Sequence, residues 1–121
     1  MDASIDTADK PDLIAGMRLI AHDTLAGYGG VGEGMSLQAA PDGRRILWLA
    51  HEGPPKNFTG VDVTDPRRPL VVVQTDLPHN RVRSNSLETV GNLMAVAYQT
   101  VEPGLSPAGI DLFDITVPEK P

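Results

Sequence analysis

The chain states one pattern twice. The run Asp62-Val63-Thr64-Asp65-Pro66-Arg67-Arg68-Pro69 returns about fifty residues later as Asp114-Ile115-Thr116-Val117-Pro118-Glu119-Lys120-Pro121. Ser36-Leu37-Gln38 has its counterpart in Ser86-Leu87-Glu88, and Ile20-Ala21-His22-Asp23-Thr24-Leu25 in Val72-Val73-Gln74-Thr75-Asp76-Leu77. A unit of that length, rich in β-branched residues, predicts sheets that must stack on one another because none hides its apolar faces alone.

The strand pattern follows the repeat. Residues 1–12 are polar and acidic and are expected to form a disordered tail ahead of a domain spanning 13–121. Met17 to Leu25 reads as a first strand, and the glycine-rich stretch from Gly27 to Gly34 as a loop. A first four-stranded unit occupies 35–75: Met35–Ala39, Ile46–Ala50, Phe58–Val63 and Leu70–Gln74. Pro41-Asp42-Gly43 makes its first turn. A second unit over 84–121 repeats the order with Ser86–Val90, Leu93–Tyr98 and Gly109–Asp114, and its fourth strand is missing. The apolar runs Ile46–Ala50 and Leu93–Tyr98 are expected to be covered on both faces. No helical periodicity persists beyond two turns.

Four antiparallel strands per unit is the pattern of a β-propeller blade, and an eight-stranded β-sandwich is the competing all-β arrangement. The segments Gly60-Val61-Asp62-Val63-Thr64-Asp65-Pro66 and Leu112-Phe113-Asp114-Ile115-Thr116-Val117-Pro118 resemble the LVIVD-repeat β-propeller family. There a strand ends in a hydrophobic-Asp-hydrophobic-Ser/Thr-x-Pro corner. The resemblance spans about residues 17–121, and Val117 stands where the family has Asp or Asn before proline. It implies a propeller fold, with about two blades present here, and no particular activity. Two blades cannot close a ring. Several hundred Å² of bare apolar face would forfeit on the order of ten kcal/mol. The chain is therefore expected either to be part of a longer propeller or to assemble with identical subunits, Met17–Leu25 of one copy completing the Asp114 blade of the next.

Composition narrows the function classes. Sixteen acidic residues against ten basic ones give a net charge of −6, which argues against nucleic acid or an anionic membrane as partner. There is no cysteine, hence no disulfide and no thiolate metal site. No apolar run approaches the roughly 20 residues of a membrane span. With Met1 as the start and no signal sequence, the expected location is the cytoplasm.

The candidate site is the rim where inter-strand loops converge. It collects His51, Glu52, Lys56, His79, Asn80, Arg81, Arg83 and Asn85. Arg81 and Arg83 alternate along an extended segment, so both face one side, and their forked donors suit a carboxylate or phosphate. The first expectation is a binding or scaffold module that offers this rim to a small anionic ligand or a protein partner. The second is an enzyme with a divalent metal at the rim, held by His51, His79 and Glu33, acting on a small molecule. No short-range ligand spacing marks a metal site. No triad motif is present, and the glycine-rich stretch lacks the lysine and helix start of a phosphate cradle. Asp62 and Asp114, in register at the repeat corner, are expected to cap backbone N–H groups.

Overall fold

The computed structural model describes residues 16–121. The tail expected over 1–12 lies outside them. The described chain is all-β. Strands β1 (Val31–Ala39), β2 (Arg45–His51), β3 (Lys56–Asp62) and β4 (Leu70–Asp76) form one antiparallel sheet in sequence order. Strands β5 (Val82–Val90), β6 (Leu93–Thr100) and β7 (Gly109–Asp114) form a second, three-stranded antiparallel sheet.

Alternation along β2 puts Ile46, Trp48 and Ala50 at zero exposure, with Leu47 and Leu49 half-buried on the other side. The expected cover on both faces is thus complete for one face only, and β6 behaves likewise with Met94 and Val96 inward. These inward residues meet Leu87, Ile115 and Phe58 in a single core between the sheets. Phe58 stacks edge-on against Trp48 at 5.7 Å and against Phe113 of β7 at 5.0 Å. Packing is closest where β1 runs beside β5, and it falls off through β2 and β3.

Gly34 explains that closeness and corrects the expected loop. The Gly27–Gly34 stretch becomes strand from Val31 onward, because a Cβ on Gly34 would stand 2.6 Å from the Leu87 nitrogen and 2.8 Å from the Ala50 side chain. Glycine serves here for its lack of a side chain. Gly60 in β3 does the same for the Trp48 ring, 2.9 Å from where its Cβ would be. In the second sheet the corresponding cross-strand pair is Ala95 opposite Leu112, the bulk having moved to the other strand.

Polar clamps tie the sheets together. Buried Gln38 accepts from Trp48 Nε1 at 2.9 Å, and donates to the Ile115 carbonyl at 2.9 Å and to Asn92 Oδ1 at 3.2 Å. Ser36 and Thr89 share a hydroxyl bond of 2.6 Å. Arg44 donates both terminal nitrogens to Glu119, at 2.6 and 2.9 Å, and that guanidinium holds the Glu119 carboxyl down at about 2. The repeat corners are built as the sequence suggests. Asp62 Oδ1 accepts from the hydroxyl and backbone N–H of Thr64, and Asp114 Oδ1 from those of Thr116, which lowers both carboxyl pKa values.

One expected strand is absent. Met17–Leu25 has no strand pairing. It lies against the outer face of the first sheet, where residues 18–23 and Leu25, with Leu47, Leu49, Val61 and Val63, enclose a cleft of about 490 Å³. Leu25 is buried, and its carbonyl accepts from Gln74 Nε2 at 3.0 Å. A strand needs a neighbouring edge for its N–H and C=O groups, and this segment meets a sheet face.

Candidate functional site

The eight rim residues divide evenly between strands and loops, Glu52, His79, Asn80 and Arg81 lying in the loops. His51 closes β2, Lys56 opens β3, and Arg83 and Asn85 lie on β5, which begins at Val82. A β-bulge between Ser84 and Ser86 re-aims this part of β5 where it faces the ends of β1 and β2.

Between those ends lies a cleft of about 490 Å³, lined by Val31, Gly32, Glu33, Glu52, Arg83, Ser84 and Asn85. A second cleft of about 390 Å³ shares Glu52 and Arg83 as its wall and adds Asn80, Gln99 and Val101. Arg83 is fixed in place. Its Nε and Nη2 donate to Gln99 Oε1 at 3.1 and 2.7 Å, and its Nη1 reaches the Glu52 carbonyl at 3.4 Å. A guanidinium carries five N–H groups, so about two remain for a ligand. Glu33 and Glu52 form no ion pair among the described residues. The cleft thus presents two carboxylates and one oriented guanidinium. Ser84, which the sequence did not mark, forms its floor and donates to the Asn57 carbonyl.

The other candidates serve local structure. His51 is buried, with Nε2 2.6 Å from Thr59 Oγ1. Burial holds its pKa below the ordinary imidazole value. Lys56 pairs with Asp76 at 2.6 Å and sits 4.7 Å from the centre of the Tyr28 ring. His79 spends both nitrogens, one on the Ser106 carbonyl at 2.8 Å and one on the Arg81 backbone N–H at 3.1 Å. Arg81 is paired with Glu102. Arg81 and Arg83 therefore have separate acceptors. Among the described residues no three His, Asp or Glu side chains are grouped to hold a metal ion. Asn57 donates to the Tyr98 hydroxyl at 3.0 Å, and burial raises the Tyr98 pKa.

No protein-family model, curated protein or solved structure gives a significant match to this chain. Fold and site define it as an all-β protein of two packed antiparallel sheets with a polar cleft at one end of their junction. No described helix is long and apolar enough to cross a membrane.

Proposed function

We propose that the chain contributes two blades to a β-propeller and works as a binding module through the cleft between Glu33, Glu52, Arg83 and Asn85. The blade reading is supported by the repeated strand order and by contact that is tightest between the first strands of the two sheets. A ring of this kind takes further blades, from more polypeptide or from identical subunits.

The observation that carries the binding reading is the free capacity of the cleft. A guanidinium held by Gln99, with N–H groups to spare, stands beside two carboxylates that have no cationic partner among the described residues. That combination suits a small ligand with an anionic group for Arg83 and an ammonium or hydroxyl group for Glu33 and Glu52. The ligand is thus more than the simple anion expected from the two arginines. No geometric observation favours the rim-metal enzyme, since both imidazoles are committed to protein groups.

Thermal-shift measurements with serine, citrate and spermidine test the reading. Serine, which carries both charges, is expected to raise the melting temperature of the wild type and not that of Arg83→Ala. Equal responses to all three probes, or a response unchanged in Arg83→Ala, would refute it.

A further inference from the structure

Among the described residues the second sheet has three strands, β7 at one edge, and a strand-like segment of the chain pairs with none of them. We infer that residues Arg18–His22 of a second copy of this chain add to the free edge of β7, with the outer face of the second sheet stacked on the outer face of that copy's first sheet. The inference rests on the four-strand reading of the repeat and is independent of the ligand.

The repeat supplies the register. The shift that carries Asp62 onto Asp114 also carries Ile20 onto Val72 of β4. In the first sheet β3 and β4 pair as Asp62 with Leu70, Val61 with Val71, Gly60 with Val73 and Thr59 with Gln74, a bulge setting Val72 aside. The same pairing sets Asp114 opposite Arg18, Phe113 opposite Leu19, Leu112 opposite Ala21 and Asp111 opposite His22. Two of these four are chemically matched. Thr59 and Gln74 are joined in the first sheet by a hydrogen bond of 3.0 Å. Their counterparts, Asp111 and His22, are a carboxylate and an imidazole. Arg18 meets Asp114 as an ion pair. All four side chains are exposed in the single chain.

The faces match as well. Ile110 occupies the position of Phe58 in the repeat, yet it is 64% exposed where Phe58 is 0%. Leu112, Leu93 and Val90 extend the same bare face. Its counterpart in the first sheet, built on Ile46, Trp48 and Phe58, is what packs against the second sheet. The opposite face of the first sheet leaves Met35 and Leu37 open beside half-buried Leu47 and Leu49. The junction within the chain is therefore a template for one between copies, front to back, and such heterologous contacts form a ring when the rotation closes. Leu25 is placed to act as the pivot. It is buried, like its counterpart Leu77, which joins β4 to the second sheet.

Light scattering after size-exclusion chromatography, over micromolar to millimolar chain concentrations, tests the inference. The expected result is association that rises with concentration. His22→Glu, facing Asp111, should weaken it about tenfold, and His22→Glu with Asp111→Lys should restore it. A merely unfolded variant would not be rescued, and circular dichroism of each variant checks its fold. Association unaffected by His22→Glu overturns the inference. So does a chain that stays monomeric. In that case a synthetic peptide of residues 16–26 separates the causes: if it binds, the four-strand unit stands and only the second copy as donor is wrong, and if it does not, the four-strand reading falls too.

Discussion

Replacing Gly34 by alanine tests the sheet junction at its tightest point. The added methyl carbon would stand 2.6 Å from the Leu87 backbone nitrogen, 2.8 Å from the Ala50 side chain and 3.0 Å from the Ser86 carbonyl carbon, where ordinary contact starts at 3.4 Å. Two of those neighbours are backbone in a paired strand, so no rotamer change relieves the clash. The sheets must part by about 0.8 Å, and a gap of that size forfeits roughly a quarter to a half of each dispersion contact across it. The contacts at risk are those of Trp48, Ile46, Leu87, Met94 and Ile115. Overpacking typically costs about 1–3 kcal/mol, and a backbone clash belongs at the upper end. We expect Gly34→Ala to lose about 3 kcal/mol in urea unfolding, and about 10 °C in melting temperature at a fixed protein concentration. Gly30→Ala is the control, because nothing lies within 4 Å of the point its methyl carbon would occupy. It should stay within about 0.5 kcal/mol of wild type. If Gly34→Ala melts within a degree or two of wild type, β1 and β5 do not approach as described and the junction is wrong.

Two further outcomes follow from buried polar groups. Gln38→Leu strands the Trp48 indole N–H and removes a donor from the Ile115 carbonyl; each orphaned group costs about 1–3 kcal/mol, so a loss of about 3 kcal/mol is expected. The single tryptophan reports it directly through the urea midpoint of its fluorescence. His51 is held below the ordinary imidazole pKa of 6.5 by burial, so the unfolded chain takes up a proton first as pH falls. Its contribution to stability is therefore present above pH 6.5 and declines below it, down towards the lowered folded value. The urea midpoint should drop between pH 7.5 and 5 and the slope should flatten in His51→Gln; an unchanged slope would show that His51 is not buried in neutral form.

Much of the fold was legible in the residues. Ile46–Ala50 and Gly109–Asp114 are strands because short apolar or alternating segments bounded by Gly, Pro and Asp have few alternatives. The Asp62–Thr64 and Asp114–Thr116 corners form because a short carboxylate can reach N–H groups two residues on. Those interactions are local, and a local pattern suffices to find them. The cleft was legible in part. Glu52, Arg83 and Asn85 were placed near one another by the loop pattern, but the separate tasks of His51, His79 and Arg81 depend on Thr59, Ser106 and Glu102, and no spacing announces those partners.

Periodicity and turn chemistry by themselves determined that the described residues are all-β and where most of their strands lie, since each depends on a handful of adjacent residues. Tertiary structure decided which glycines are strand and which are turn. Gly34 extends β1 because another backbone passes beside it, a fact with no trace in its neighbours along the chain. It also decided the state of Met17–Leu25, whose sequence matches β4 but which is no strand here. A β-strand is a relation between two segments, and its existence depends on whether a free edge lies within reach.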